Sequence, residues 1–308
     1  MNSASGHSGH GPPVLSGADP ATARALRISA WLTGIYFLIE LGIGIYTGSI
    51  AVISDAFHTF SAVGGIVLAI VAARIARRPA DSTRTFGSYR AEIIGALLNG
   101  VFLFVMAIIV MVMGYMRLRE PIDLATTPML LAAAGGLITE IISLKLLQSS
   151  QKGDLNIRGA FWHVVQTFVG SLLIIVVALV IRFTGFTPID PLLGMAFGVV
   201  LLVASWGIMR DALHILMEGA PEGMDLDRIR ETLLALPGVA DVHHMHAWTL
   251  TSNRHVFSAH FRVDGSEETS LLRTAHNLLR SEFGFHFSTI QIEAEYLDER
   301  HAQDLEYR

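Results

Sequence analysis

The sequence has no cysteine among its 308 residues, which excludes disulfides and thiolate metal ligands. A bound metal ion would have to take its ligands from His, Asp, Glu or main-chain oxygen. Charged residues are also scarce, at 16% of the chain against about 25% in a soluble domain. The net charge of −5 gives no reason to expect a nucleic acid partner. No nucleophile–base pair supports an enzyme.

Hydrophobic residues are abundant instead, and they occur in long runs. A helix needs about 20 mostly apolar residues to cross the hydrocarbon core of a bilayer. Buried helices of a large soluble α-helical protein are the alternative, but the number and length of the runs favour six transmembrane helices. The six runs are Leu26–Tyr46, Ile50–Ile75, Ile93–Met116, Pro128–Leu147, Phe161–Phe183 and Pro191–Met209.

Basic residues are unevenly distributed among the loops. Five arginines lie at the second connection, between Arg74 and Arg90, and Lys152 and Arg158 lie at the fourth. Such an excess marks the cytoplasmic side, so we expect both termini in the cytoplasm and the chain in the cytoplasmic (inner) membrane. We expect a disordered tail over 1–25, a transmembrane domain over 26–213, a soluble domain over 214–296 and a C-terminal tail over 297–308.

The pattern after Glu218 is that of a small α+β domain. Asp225–Leu236 and Glu268–Phe283 have apolar residues at helical spacing. Val239–Leu250, Val256–Val263 and Ser288–Ala294 have the composition of strands. The order αββαβ predicts a ferredoxin-like sheet with both helices on one face.

Ionisable side chains inside a bilayer are costly and are candidate functional residues by default. Asp55 and His58 are three residues apart and therefore share a helix face. Two facing imidazoles would begin a zinc site, although hydrogen bonding between helices would also explain each histidine. Glu140 and Lys145 could instead pair with each other. The candidate ionisable and amide residues within the six runs are Glu40, Asp55, His58, Asn99, Glu140, Lys145, His163 and Gln166.

Several motifs occur in an informative order. Residues 48–58 read GSIAVISDAFH and residues 84–92 read RTFGSYRAE. Five further segments complete the pattern: 97–99, 158–163, 189–191, 242–248 with 258–260, and 289–293. Together they resemble the zinc-transporter branch of the cation diffusion facilitator family, and the similarity runs from about Leu26 to Glu293.

The resemblance implies a function and two metal sites. It implies a homodimer that exports a divalent metal ion, most readily zinc, in exchange for protons. One site would lie in the membrane, built from an H-x-x-x-D pair on the second helix and another on the fifth, which places His58 and His163. A second, regulatory site in the cytoplasmic domain would use His243 or His246, with His260 and Glu293.

The sequence departs from this family pattern at two positions. Where each H-x-x-x-D pair should end in aspartate, the chain has Ala62 after His58 and Thr167 after His163. Two ligands are too few for zinc, which takes four. The site could have moved to Asp55, Glu140 or Gln166; the chain could be a transport-silent metal sensor or accessory subunit; or it could be an altered form of a competent transporter. The remaining intramembrane polar residues favour transport.

The histidines of the soluble domain follow a strand. Regular alternation would place His244 and His246 on one face and His243 on the other. His260 lies on the paired strand, and Glu293 on the third. The alternative to a metal site is a polar sheet face at a dimer contact.

Overall fold

The computed structural model describes residues 20–148, 155–251, 254–264 and 268–295. Within these ranges the side chains at 20–27, 61–67, 69–70, 73, 155–160, 162–163 and 268 are outside the description. Most of the predicted N-terminal tail and all of the C-terminal tail also fall outside it. The chain divides into two compact units, one from 1–74 with 94–210 and the other from 75–93 with 211–308.

The first unit is made of long apolar helices, as the sequence predicts. Among the residues whose side chains are described, five helices are long and apolar enough to span a membrane, and α2 contributes the shorter apolar stretch Ile50–Phe60. Each helix extends past its hydrophobic run by up to about two turns, because a helix need not end where the hydrocarbon ends. The helices are α1 Pro20–Thr47, α2 Ile50–Ala76, α3 Ala91–Arg119, α4 Thr126–Gln148, α5 Leu155–Thr184 and α6 Ile189–Leu216.

A buried carboxylate holds the start of α2 against the start of α6. Asp190, fully buried, accepts hydrogen bonds from the main-chain N–H of Ile50 at 2.7 Å and from the Ser49 hydroxyl. These contacts satisfy donors that a helix N-terminus leaves unpaired. The preceding Gly48 has a φ of +68°, a conformation that glycine adopts without steric cost and that allows the sharp reversal out of α1.

The interior of the first unit is formed mainly by α2, α4 and α5. Ala51 and Val52 pack there with Met129 of α4 and Ile174 of α5. Large apolar side chains cover the outside, for example Trp31, which is 71% exposed, and Val203, which is 70% exposed. Such a surface is unusual for a soluble protein and suits contact with lipid.

The second unit contains the predicted αββαβ domain, which confirms the fold class. Its sheet has the order β1-β2-β3, with β1 and β2 antiparallel and β2 and β3 parallel. A single apolar core, including Ile229, Phe257, Phe261 and Leu279, lies between the sheet and the helices. The elements are α7 Leu226–Leu234, β1 Val239–Thr251, β2 Arg254–Val263, α8 Glu268–Ser281 and β3 Phe285–Glu293.

The connection between α2 and α3 belongs to this second unit. The Thr251 hydroxyl donates to the Glu92 carboxylate, and the Arg254 guanidinium lies 4.3 Å from the ring centroid of Tyr89. Both contacts join the β1–β2 hairpin to the connection. Hydrogen bonds from the Thr83 side chain, then from the main chain of Arg84 and Thr83, lower the pKa of the exposed Asp81 carboxyl.

Candidate metal centres

The sheet of the soluble domain brings three predicted ligands together. His243 on β1 lies directly opposite His260 on β2, and Glu293 ends the neighbouring β3. Glu293 Oε1 is 3.0 Å from His260 Nδ1, and its Oε2 is 3.4 Å from His243 Nε2. One ligand atom from each residue lies within 4.8 Å of the other two. The sequence prediction of these three residues therefore matches a compact donor set.

This donor set is well shielded from water. The Glu293 side chain is 2% exposed and the two imidazoles 13% and 20%. Glu293 Oε1 accepts a hydrogen bond from the Gln291 side chain at 2.8 Å, whereas Oε2 accepts none from the described residues. Asp241 Oδ2 lies 3.7 Å from His243 Nδ1, on the side of the ring away from Glu293. An outer carboxylate in that position orients a histidine that binds metal.

These residues fit a zinc ion. Ligand atoms about 2.0–2.1 Å from a tetrahedral zinc are about 3.3–3.4 Å apart. Each histidine lies at about that distance from one of the two Glu293 oxygens, and one ligand atom from each of the three residues lies within 4.8 Å of the others. Two nitrogens and one carboxylate oxygen match the protein ligands of the three-ligand sites that zinc forms. The buried carboxylate oxygen without a hydrogen bond donor gives an anionic site for the cation.

The predicted alternation of the β1 histidines is wrong. His243 pairs with His260 and His246 with Ser258, so two β1 residues between these pairs face a single β2 residue, and His244 has a φ of +47°. This β-bulge adds one residue, so both Val242 and Met245 enter the core. His243, His244 and His246 consequently lie on the same side of β1, opposite the core.

The bulge also decides which histidine joins the cluster. The rings of His244 and His260 are 5.3 Å apart, and His243 is 5.5 Å from each of them. His246 is exposed and lies outside the three-residue donor set, so it is not retained as a ligand. Desolvation first, then repulsion by His244 and His260, lowers the pKa of His246.

A second cluster of polar side chains lies inside the membrane unit. Glu40 of α1, Asp55 of α2 and Glu140 of α4 are 0%, 4% and 6% exposed. The carboxyl groups of Glu40 and Asp55 are within hydrogen-bonding reach, and Glu140 is close enough to interact with both. The Ser171 hydroxyl of α5 donates to Glu140 at 2.9 Å. Four helices therefore meet at these carboxyl groups.

Glycines allow this close approach. A Cβ at Gly170 of α5 would collide with the Asp55 carboxylate, and one at Gly136 of α4 would lie 2.5 Å from the Tyr36 hydroxyl. Neither site has room for a larger residue unless a polar side chain moves. The two glycines thus permit the carboxyl groups to come together.

The other residues predicted for the membrane site lie as follows. His58 is half-buried on α2, one turn after Asp55, and the side chain of His163 lies outside the described residues. Gln166 is exposed while its neighbour Thr167 is buried, because adjacent positions point in directions about 100° apart on a helix. Gln166 therefore faces outward, which corrects the prediction that it lies in the membrane site. Lys145 is also exposed and does not pair with Glu140.

Glu40 was not among the predicted ligands. The sequence indicated it as an ionisable residue inside a hydrophobic run, and Tyr36 lies four residues away, the spacing of side chains that meet on one helix face. Their oxygens lie 3.3 Å apart. Only the packing of α1 against α4, through the contact of Tyr36 with the Ala132 carbonyl at 3.1 Å, brings Glu40 to Asp55 and Glu140.

The chain is similar to known proteins whose names describe the transport of metal cations. The chain is 36% identical over 272 residues to the metal cation efflux system protein CzcD of Cupriavidus metallidurans, covering 88% of this chain and 86% of that protein. It is 33% identical to a cadmium, cobalt and zinc/H(+)-K(+) antiporter of Bacillus subtilis, covering 90% and 91%. It is 31% identical to zinc transporter ZitB of Escherichia coli, covering 88% and 87%.

Two family models cover nearly all of the described chain. Residues 26–217 match the cation efflux transmembrane domain, and residues 221–295 match the cation efflux protein cytoplasmic domain. The first match alone includes more than half of the 308 residues. Both matches are in the order that the sequence motifs predict. The chain is therefore a multi-pass membrane protein that belongs to the cation efflux, or cation diffusion facilitator, family of transporters, and it is not an enzyme.

Proposed function

We propose that the protein exports a divalent transition-metal cation from the cytoplasm in exchange for protons, with zinc as the first candidate substrate. The observation that carries this proposal is the buried carboxyl cluster of the membrane unit. Buried ionisable groups in a membrane are costly and typically line a pathway for ions or protons. Relatives whose names describe zinc, cadmium and cobalt transport or antiport support the same substrate class.

The membrane site would include Asp55 and Glu140, together with His58 and His163. Carboxylates in this site would offset the charge of the cation, which two imidazoles alone do not. They would thereby take over the role of the two aspartates that the family pattern has at the positions of Ala62 and Thr167. Protons that occupy the carboxyl groups in the absence of metal would leave when metal binds, which gives a physical basis for exchange.

The soluble domain would regulate transport through zinc bound by His243, His260 and Glu293. Zinc would link β1, β2 and β3 at the side of the sheet that the helices leave uncovered. We further propose that the protein is a homodimer, as the family resemblance implies, with this sheet face at or near the contact. Both termini would lie in the cytoplasm of a cell whose inner membrane contains the protein.

Flux measurements test the transport proposal. Purified full-length protein in proteoliposomes should move zinc in the direction opposite to proton flow when a proton gradient is imposed. Collapse of the gradient should reduce the rate of zinc transport. Cadmium, cobalt, manganese, iron and nickel should be compared in the same assay. A protein that binds zinc in its soluble domain but moves none of these ions would be the alternative indicated by Ala62 and Thr167, a transport-silent metal sensor or accessory subunit.

A further inference from the structure

Glu40 completes a three-carboxylate cluster that the sequence motifs do not indicate. Its side chain is fully buried and comes from α1, a helix without a predicted ligand. Its carboxyl group is within hydrogen-bonding reach of Asp55 and interacts with Glu140. The approach of Asp55 to Gly170 fixes the α2 side of the cluster against α5.

Lysine and arginine side chains do not neutralise this cluster. Among the residues that the structure describes, none of the three carboxyl groups forms an ion pair with Lys or Arg. Lys145, the basic residue nearest in sequence to Glu140, is exposed. Buried carboxyl groups without compensating charge are held in the neutral, protonated form. A cation that displaced these protons would compensate the charge of the resulting carboxylates.

Hydrogen bonds also leave the cluster incompletely satisfied. The Tyr36 hydroxyl has one proton but lies near both Glu40 Oε1 and the Ala132 carbonyl, at 3.3 Å and 3.1 Å. Thr59 reaches the other Glu40 oxygen only at 3.5 Å.

One carboxylate oxygen in the cluster accepts no hydrogen bond from the part of the chain that the structure describes. Glu140 Oε2 is buried without a hydrogen bond, and one turn further along α4 the buried Ser143 hydroxyl also has none among the described residues. The Thr167 hydroxyl lies near Glu140 and donates to the Val164 carbonyl at 3.0 Å. Unsatisfied buried oxygens are uncommon in proteins and are positions where a water molecule or an ion commonly binds.

We propose that Glu40, Asp55 and Glu140 together bind the transported cation, mainly through oxygen. This inference rests on the proposed transport function and specifies its substrate class. Imidazole ligands suit zinc, whereas carboxylate and hydroxyl oxygens suit manganese and other hard divalent cations. A site with three carboxylates and the Ser171 hydroxyl should therefore accept Mn²⁺ at least as well as Zn²⁺. Glu40 is a ligand in this arrangement, and Tyr36 is a positioning residue.

Transport of Mn²⁺ and Zn²⁺ by the full-length protein in proteoliposomes tests the proposal. Glu40→Gln and Glu140→Gln remove a charge while keeping the shape of the side chain, and each should lower Mn²⁺ flux at least tenfold. Glu120→Gln is the matched control, because Glu120 is an exposed carboxylate outside both candidate sites, and its flux should stay within twofold of the wild type.

Equilibrium binding provides a second measurement if a glutamine variant does not fold. Tyr36→Phe keeps every carboxylate and removes only the hydroxyl that contacts Glu40. Loss of a group that positions a ligand costs about 10–100-fold in metal affinity. Electron paramagnetic resonance of free Mn²⁺ should report this loss in protein carrying His243→Ala and His260→Ala, which remove the soluble-domain site. If Tyr36→Phe binds Mn²⁺ with the same affinity as the His243→Ala, His260→Ala protein that retains Tyr36, the proposed role of Glu40 is contradicted.

The possible outcomes separate this inference from the proposed function. Wild-type flux of Mn²⁺ that both glutamine variants lose supports the carboxylate site. Wild-type flux of Zn²⁺ without Mn²⁺, or equal Mn²⁺ flux in Glu40→Gln and wild type, overturns the inference and leaves metal transport intact. Absence of flux for every divalent cation tested overturns both.

Discussion

Replacement of one soluble-domain ligand should remove most of the stabilisation by zinc. The isolated fragment of residues 214–296 has its own apolar core, and we expect it to fold and dimerise. Zinc that binds only the folded form at 100 times its dissociation constant adds about 2.7 kcal/mol of stability. A domain of this size gains roughly 4–8 °C in Tm per kcal/mol. Saturating zinc should therefore raise the Tm by roughly 10–20 °C.

His260→Ala removes one of three ligands, together with its 3.0 Å contact to the buried Glu293 carboxylate. We expect the zinc affinity to fall about 100-fold or more, since loss even of an outer partner costs 10–100-fold. The same zinc concentration would then equal the new dissociation constant and contribute only about 0.4 kcal/mol. The rise in Tm should shrink to roughly 2–3 °C.

Differential scanning fluorimetry with and without zinc measures this difference. The comparison uses the shift in Tm of each protein, so a change in the stability of the metal-free variant does not enter. His286→Ala is the matched control, because His286 is an exposed histidine on β3. Equal shifts for wild type and His260→Ala would show that these residues do not form the zinc site. Loss of the shift in His286→Ala would place the site elsewhere on the sheet.

Three further predictions concern other parts of the chain. Ala62→Asp with Thr167→Asp should raise zinc affinity and proton-coupled zinc flux more than either single change, because the ligands act together; unchanged zinc flux in the double variant would contradict this. Asp190→Ala should destabilise the protein by about 2–3 kcal/mol, since it leaves buried donors at the start of α2 unpaired; thermal unfolding in detergent measures it, and an unchanged Tm would refute it. Desolvation lowers the pKa of His255, so the unfolded state binds more protons, and the stability that His255 contributes above about pH 6.5 should be lost as the pH falls. Denaturant unfolding of the fragment between pH 7.5 and 5 should show that the free energy of unfolding depends less steeply on pH in His255→Gln than in the wild type. An equal pH dependence in the two proteins would count against this role of His255.

The membrane architecture was predictable because it depends on a local property. A run such as that of α3 must be apolar over its whole length to lie in lipid, so composition alone identifies it. The αββαβ order was predictable for a similar reason, since Asp225 as an N-cap and the periodicity of α7 and α8 are local. Family motifs added His260 and Glu293 as predicted ligands.

The side of β1 on which His243 lies was decided by the tertiary structure. Strict alternation assumes one residue on β1 for each residue on β2. The extra residue at the bulge, with His244 at a positive φ, is permitted by pairing with β2 and by packing of Val242 and Met245 in the core. A sequence read one strand at a time contains neither of these interactions.

The sequence by itself determined the apolar helices, the order of the soluble domain and the loss of two expected aspartates, because each is a matter of residue type and spacing. The meeting of Glu40, Asp55 and Glu140 was decided only by tertiary structure. These residues lie on three helices and up to 100 positions apart, and their distance depends on which helices pack together. Gly136 and Gly170 make that packing close enough for the carboxyl groups to share one site.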